Sequence, residues 1–584
     1  MNAAVNMSAA EWIVRFLEAR GTHTVFGIPG GAVLPLYHAL AASSLGHVLA
    51  RHEQAAGFMA AGQARLSGRA GVFVVSSGPG ATNAVTALAD AFMDSIPLVC
   101  IAGQVPTGVI GTQAFQEVAT VEMARPVTKA SLFAGSVDDL VRLLPEAFSL
   151  AESGRRGPVL IDVPKDVQNQ RVPASTLLAL SSAPLSCEGE GAVGSEDAWQ
   201  ADDATWQRAN AYDEIAMRIR NARRPVLYLG GGVLHAGAAD RARALAERAD
   251  LPTTTTLMAL GVLPPGHPLY LGMLGMHGAR ATNQAIAECD LLVAIGARFD
   301  DRATGRTADF APDAAVVHVD IDARELGKIR TPQVAVRDDA GRALAALSAR
   351  LEPQARPHWR ARIDALRAEC GLVQAARDDA RSPYGVLHAI ADAGPAGMLV
   401  ATDVGQHQMW VAQAYPFQAA GCWLTSGGLG TMGFGVPTAI GAALARPDVP
   451  VLCVSGDGSL MMNVQELATL AELDANVKVL VYDNGGLGLV RQQQALFYGE
   501  RYSSSRFTRA ADLCAVARAF GVPAWDIGEA DAIGGEAEVR RRLRAEFARP
   551  GPALIRLPVH ADAQVLPMVP PGAANTEALD VVSA

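Results

Sequence analysis

The feature that most limits what this chain can fold into is a series of short apolar runs, bounded by glycine and alternating with segments of helical spacing. Residues 72–76, 98–102, 159–163, 225–229, 291–295, 316–321, 398–401, 451–454, 477–482 and 553–557 all read as strands. Most are continuous stretches of Val, Ile and Leu rather than apolar–polar alternations, so both faces must be covered. Strand–helix alternation of this kind predicts α/β architecture with doubly wound parallel sheets. At about 150 residues per domain, 584 residues leave room for three or four of them.

One repeat narrows that number. Gly157-Pro158-Val159-Leu160-Ile161-Asp162-Val163-Pro164 returns 394 positions later as Gly551-Pro552-Ala553-Leu554-Ile555-Arg556-Leu557-Pro558. Each copy closes an α/β block, which predicts two related domains with a third between them. Residues 181–203 are rich in Ser, Gly, Glu and Asp and lack apolar periodicity, so a linker is expected there. The expected organisation is an N-terminal domain over 1–180, a linker over 181–205 and a central domain over 206–352. A C-terminal domain over 375–560 and a tail over 561–584 complete it.

Composition removes several function classes. Half the residues are apolar and 18% are charged, which excludes disorder of the whole chain. The net charge is −10, with no Lys/Arg stripe interleaved with aromatics, so no nucleic-acid partner is expected. No run approaches 18 uncharged apolar residues, and the first helical segment is broken by Glu11, Arg15 and Glu18. No membrane span and a cytoplasmic location are therefore expected. The seven cysteines form no CxxC pair, so neither a zinc site nor a disulfide framework is indicated. Lysine is scarce: Lys129, Lys165, Lys328 and Lys478 are the only four.

The sharpest chemical signal is Val451-Leu452-Cys453-Val454-Ser455-Gly456-Asp457-Gly458-Ser459, a strand ending in a Gly-Asp-Gly turn before a helical pattern. Ligands of parallel sheets sit at such strand ends, where helix N-termini offer free N–H groups to anions. The next strand ends in Asp483-Asn484-Gly485-Gly486, placing Asn484 27 residues after Asp457. Adjacent strand ends would bring the two side chains together. A few hard oxygen ligands completed by phosphate oxygens suit Mg²⁺.

This pair resembles the motif of thiamine diphosphate (ThDP) decarboxylases and carboligases. The resemblance implies that Asp457, Asn484 and the Gly486 carbonyl hold the metal and that Gly458 and Ser459 contact the diphosphate. Asp483 departs from the usual first Asn of the pair. The segment from Arg51 to Ala60, about 20 residues after Pro29, Gly30 and Gly31, resembles the one bearing the cofactor-activating carboxylate, here Glu53. A Glu in a helix's first turn also has the simpler role of complementing the dipole. Pro79 and Asn83, the Gln406-His407 turn, Gly430 and Met432 match further ThDP positions. Gly430 would accept the pyrimidine amino group, and Met432 would wedge the two rings.

Over nearly its full length the chain resembles the acetohydroxyacid synthase (acetolactate synthase) family. The carrying motifs include Ser77-Gly78-Pro79-Gly80-Ala81-Thr82-Asn83, Ala114-Phe115-Gln116-Glu117, Leu160–Val167, Gly275–Gly278, Arg298-Phe299-Asp300-Asp301-Arg302 and Gln465–Thr469. The resemblance implies a structural FAD held by Arg155, Gly230, Gly231, Gly232, Leu274, Met276, His277, Arg298, Asp300, Asp320, Ile321 and Asp339. It implies that Phe115, Gln116 and Lys165 lie near the cofactor and that Arg302 grips the carboxylate of the second substrate, a bidentate task suited to guanidinium. The implied reaction decarboxylates pyruvate and joins the hydroxyethyl unit to a second 2-oxo acid. The product is 2-acetolactate, or 2-aceto-2-hydroxybutyrate from 2-oxobutyrate, on the way to branched-chain amino acids.

Family sites form between two subunits, so a homodimer or homotetramer is expected, and a small regulatory subunit is left open. Gln493 stands where the family usually has a substrate-selecting Trp, which puts a preference for 2-oxobutyrate in question. The alternatives are another ThDP carboligase with a different acceptor and, further off, a non-catalytic flavoprotein. A plain NAD-dependent Rossmann enzyme fits less well, since no GxGxxG-plus-acidic unit is evident.

Overall fold

A computed structural model describes residues 7–172 and 197–580, with backbone only at 197–207. Three six-stranded, wholly parallel sheets follow one another along the chain. The first comprises β1 (Thr24–Gly27), β2 (Gly46–Leu49), β3 (Gly71–Val75), β4 (Leu98–Gln104), β5 (Ala130–Phe133) and β6 (Pro158–Pro164), in the order β2-β1-β3-β4-β6-β5. The middle sheet holds β7 (Pro225–Leu229), β8 (Thr253–Thr255), β9 (Tyr270–Met273), β10 (Leu291–Ile295), β11 (Ala315–Asp320) and β12 (Val334–Arg337). Its order, β12-β11-β10-β7-β8-β9, is that of a dinucleotide-binding fold. The last sheet uses β13 (Leu399–Thr402), β14 (Trp423–Leu424), β15 (Val451–Gly456), β16 (Val477–Asp483), β17 (Ala524–Asp526) and β18 (Ala553–Pro558), ordered β14-β13-β15-β16-β18-β17.

The first and last sheets therefore share one topology, and β6 and β18, the two copies of the sequence repeat, hold the same place in it. All ten expected strands are present. Their side chains are buried almost without exception, because helices cover both faces.

The outer domains meet through two helices, Glu53–Ser67 and Gly435–Ala445. Small residues let their backbones approach. A Cβ on Gly62 would lie 2.2 Å from the Thr438 carbonyl oxygen, and one on Gly441 would lie 1.9 Å from that of Met59. The crossing joins one face of each outer sheet into one contiguous core, where Met59, Ala60, Ala439 and Ala442 are buried.

Two boundaries differ from expectation. Residues 181–196 lie outside the described residues, but 197–205 belong to the helix Asp197–Asn221 and not to a linker. Its later turns bury Tyr212, Ile215 and Ile219 in the middle core, while its polar beginning carries little periodic signal in sequence. The middle unit also extends past 352. The helix Pro357–Cys370 packs on it, and Trp359 Nε1 donates to the Pro225 carbonyl at 3.0 Å. The tail lies against the middle domain: Asn575 donates to the Ala303 carbonyl at 2.7 Å, and His277 Nδ1 lies 3.1 Å from the Pro567 oxygen.

Candidate functional site

β15 and β16 are neighbours in register, Gly456 opposite Tyr482, so their ends carry Asp457 and Asn484 side by side. Asp457 opens the short helix Asp457–Leu460. Its Oδ1 accepts from Gly458 N at 2.9 Å and its Oδ2 from Gly486 N at 3.0 Å. Asn484 donates through Nδ2 to Gln406 Oε1 at 3.1 Å, while its buried Oδ1 has no partner. A Cβ on Gly458 would lie 3.7 Å from the Gly486 carbonyl oxygen, so that carbonyl lies close to the turn that Asp457 opens. Burial and the facing Asp483 push the Asp457 carboxyl upward, a strain that a bound cation would relieve. Asp483 faces Asp457 and also pairs with Arg556 at 2.6 Å, while Asn484 next to it keeps its Oδ1 unpartnered.

Two further expected residues lie against this point. His407 follows Gly405, and a Cβ on Gly456 would meet its Nδ1 at 2.9 Å. Its Nε2 is buried without a partner, and burial lowers its pKa to about 3, so the ring is neutral. Ser459 donates to the Val404 carbonyl at 2.7 Å. Among the described residues no three His, Cys, Asp or Glu side chains gather around a common point. A cation here would thus take one carboxylate, one amide and one carbonyl from the protein and its other oxygens from a ligand, a set that fits Mg²⁺ with a diphosphate.

Glu53 begins the helix Glu53–Ser67, and the His52 side chain caps it by accepting from Gln54 N at 3.1 Å. Glu53 Oε2 accepts from Asn83 Nδ2 at 3.0 Å, and a Cβ on Gly80 would sit 3.5 Å from Oε1. Pro79 opens the helix Pro79–Asp94, which carries Asn83 and follows β3. Gly30 packs on Ser76, whose Oγ a Cβ there would strike at 2.3 Å. Pro29 is exposed beside it. No hydrogen bond or ion pair among the described residues joins Glu53 to Asp457 or Asn484 within the chain.

The loop after β4 presents Phe115, 88% exposed, and Gln116, held at φ 63°. Glu117 fastens it by accepting from Ala114 N at 2.9 Å and from Gly111 N. Asp166 accepts from Thr107 N at 3.0 Å, which ties the loop to Lys165 at the end of β6. Arg302 has a 69% exposed side chain whose guanidinium approaches Asp301 only to 3.9 Å and the Met276 sulfur to 3.7 Å. It is thus available to a carboxylate. On the other side, Gly430 (φ 72°) and Met432 lie in the turn before the helix Gly435–Ala445. Gln493 is half-buried on the helix Gly488–Phe497.

A cavity of about 1060 Å³ opens at the carboxyl ends of β7, β10 and β11. Strand order reverses between β10 and β7, where such folds bind dinucleotides. Arg155, Gly231, Gly232, Arg298, Asp300, Asp320, Ile321 and Asp339 line it. Gly230 lies behind the wall, where a Cβ would meet the Gly296 carbonyl oxygen at 2.0 Å. Leu274, Met276 and His277 lie outside the lining, Leu274 in the middle-domain core and the other two against the tail. Burial holds His277 down to about 4 and pushes Asp320 up to about 6. Arg155 reaches Ser95 Oγ at 3.0 Å, Asp322 at 3.1 Å and Glu325 at 3.0 Å, spanning the first and middle domains. The volume lies at the upper end of the roughly 300–1,000 Å³ usual for ligand pockets, and the strand-end glycines leave room for a dinucleotide.

Sequence reading missed two residues that tie the outer domains together and one that braces the strand ends of the last. Asn463 Nδ2 donates to the Gly433 carbonyl at 2.8 Å and to Gln54 Oε1 at 3.2 Å. Glu466, fully buried, accepts from Arg51 N at 2.9 Å. Asp403 accepts from Gly433 N at 2.7 Å and from Ser455 Oγ at 2.8 Å, and burial raises it to about 6. Their one sequence signal is polarity at positions flanked by core residues.

Three family models match this architecture. They are the N-terminal TPP binding domain of thiamine pyrophosphate enzymes over residues 7–123, the central domain over 212–347 and the C-terminal TPP binding domain over 403–557. Among curated proteins, the chain is 50% identical to acetolactate synthase isozyme 1 large subunit of Escherichia coli K12, an alignment covering 98% of this chain and 97% of that protein. It is 43% identical to the isozyme 2 large subunit of the same organism, over 99% and 100%. Identity is also 43% to an acetolactate synthase large subunit of Parasynechococcus marenigrum, over 100% and 92%.

Proposed function

The chain belongs to the acetolactate synthase large subunits of the thiamine pyrophosphate enzyme family, and from that premise we propose how its residues perform the reaction. The reaction decarboxylates pyruvate and transfers the hydroxyethyl unit to a second 2-oxo acid, giving 2-acetolactate or, from 2-oxobutyrate, 2-aceto-2-hydroxybutyrate. The observation that carries this reading is the pair of half-sites at equivalent ends of two sheets of the same topology: a carboxylate on one, cation donors on the other.

Bound ThDP would supply the nucleophile and the electron sink, and each protein residue has a task around it. Asp457, Asn484 and the Gly486 carbonyl would hold Mg²⁺ against the diphosphate, with Gly458, Ser459, Gln406 and His407 around it. Glu53, kept in place by Asn83, would share its proton with the pyrimidine ring, a transfer of the kind that contributes about 10²–10⁴-fold. Gly430 and Met432 would position that ring. Phe115, Gln116 and Lys165 would line the substrate space, and Arg302 would receive the acceptor's carboxylate through two parallel N–H donors. FAD would fill the middle-domain cavity as a structural group.

That no hydrogen bond or ion pair among the described residues joins Glu53 to Asp457 or Asn484, together with the 88% exposed Phe115, supports a site completed by a second copy, in a dimer or a tetramer. The name of the relatives as large subunits supports a smaller regulatory partner. Among the described residues no helix is long and apolar enough to cross a membrane, and a cytoplasmic location accords with this.

Product identification after incubation with pyruvate, ThDP, Mg²⁺ and FAD tests the reading. Acetolactate is the expected product, and bound ThDP with no acetolactate would refute it in favour of a carboligase with another acceptor. Competition between pyruvate and 2-oxobutyrate then tests Gln493. With no aromatic wall, little preference is expected, and Gln493→Trp should raise 2-oxobutyrate selectivity by about tenfold, within the roughly 10–200-fold that one apolar contact provides.

A further inference from the structure

The turn at residues 426–431 has an unusual anchorage. Gly427, Leu429 and Gly430 are exposed, so the turn gains little from burying its own side chains. Two carboxylates of the first domain hold it instead. Asp94 takes consecutive backbone donors, Gly427 N through Oδ2 at 3.0 Å and Gly428 N through Oδ1 at 2.7 Å. Asp90 Oδ2 takes the hydroxyls of Ser426 and, at 2.9 Å, Thr431. Ser426 Oγ in turn accepts from Thr431 N at 2.9 Å, closing the turn on itself.

Both carboxylates are almost fully buried on the last turns of the helix Pro79–Asp94. Arg65 is the cation that balances them: it reaches Asp94 at 2.9 Å and lies 5.6 Å over the ring of Phe434, just beyond the turn. Asp90 Oδ1 has no partner, and burial with Asp94 alongside pushes that carboxyl upward.

Two adjacent buried carboxylates with one counter-cation are costly, and a core alone does not require them. What they accomplish is specific. Four donors in a six-residue span are fixed from across a domain boundary, and Gly430 is left free on the surface of the turn. We propose that Asp90 and Asp94 are positioning residues that hold the 426–431 turn in the shape that receives the aminopyrimidine of the cofactor. The proposal rests on the ThDP reading above. The same helix carries Asn83, the partner of Glu53, so in a site shared by two copies one rigid element would brace a contact to each of two cofactors: Glu53 to one and the Gly430 turn to the other.

Full-length protein with Mg²⁺ and FAD, titrated with ThDP by tryptophan fluorescence, provides the test. Asp94→Asn replaces an acceptor of one backbone N–H with an amide donor. Its ThDP dissociation constant should rise about tenfold, roughly 1.4 kcal/mol, while the KM for pyruvate at saturating ThDP stays unchanged. Asp90→Asn and Thr431→Val should each weaken ThDP binding less, and their effects should be non-additive in a double-mutant cycle because they remove one contact. Should Asp94→Asn fail to fold, Ser426→Ala and Thr431→Val carry the same test from the turn's side. Variants that melt earlier yet bind ThDP as tightly as the parent would overturn the proposal and leave the ThDP reading intact. A parent protein that binds no ThDP would overturn both.

Discussion

The first and last domains share a strand order and a repeated fifth strand, yet their strand ends carry different chemistry. After β15 comes Asp457, whereas the corresponding strand β3 is followed by Ser76 and Ser77. After β2 comes the helix that Glu53 opens, whereas after β14 comes the turn of Gly430 and then the helix Gly435–Ala445. Those two helices pack on each other through reciprocal glycines, Gly62 against Thr438 and Gly441 against Met59. The shared features are those that close the core. The differing ones are the two or three residues just past each strand, where a parallel sheet presents ligands and where packing exerts little constraint.

A second likeness concerns the scarce lysines. Lys129 donates to the carbonyls of Leu150 and Ser153, at the end of the helix that precedes β6. Lys478 donates to those of Arg549 and Gly551, just before β18. Each places a cation at the end of a helix, where the last carbonyls lack intrahelical partners. Of the other two, exposed Lys328 pairs with buried Glu325, and Lys165 opens the short helix that follows β6.

The division of labour between the domains can be broken at several points. Glu53→Gln removes the transferable proton and keeps the Asn83 contact, so turnover should fall by about 10²–10⁴-fold with the fold intact. Steady-state rates with circular dichroism as a control check this. Unchanged turnover would assign Glu53 to helix capping alone. Asp457→Asn should weaken Mg²⁺ activation by at least about 100-fold, more than a change to a residue that merely orients a ligand. Ser77→Ala, at the matching strand end of the first domain, should leave the Mg²⁺ requirement where it is. Equal effects at both positions would dissolve the distinction.

Smaller effects sharpen the structural side. Gly441→Ala forces a Cβ to 1.9 Å from the Met59 carbonyl oxygen, and overpacking of this kind costs about 1–3 kcal/mol. Gly62→Ala should cost a similar amount, which denaturant unfolding would measure. The smallest effect concerns Lys478, whose burial lowers its pKa from 10.5 to about 8. Between those values the unfolded chain binds the extra proton, so this group makes stability rise with pH across that window. Lys478→Met should remove that rise in unfolding experiments between pH 8 and 10, and an unaltered pH slope would contradict it.

How much of this was legible in the sequence follows the sheets outward from their centres. The ten expected strands are β3, β4, β6, β7, β10, β11, β13, β15, β16 and β18, every one of them interior. The eight unforeseen ones include all six edge strands, with β1 and β8 just inside two edges. Interior strands need apolar residues on both faces and so appear as unbroken runs. An edge strand of two to four residues such as Trp423–Leu424 or Gly46–Leu49 has one neighbour and a mixed composition.

Chemistry confined to a few consecutive residues at a strand end, as in Gly456-Asp457-Gly458, is a local property, and the sequence alone suffices to propose it. Fold class, the two related domains and the separate positions of Glu53, Asp457 and Asn484 were all of this kind. Only the tertiary structure decided that Asp90 and Asp94 hold a turn more than 330 residues away, that Asn463 meets Gln54, and that three strand ends enclose a cavity. Contacts between such distant segments leave no periodicity in either one. They are set by how helices and sheets pack, and a buried polar residue reveals its purpose only once its partner is in place.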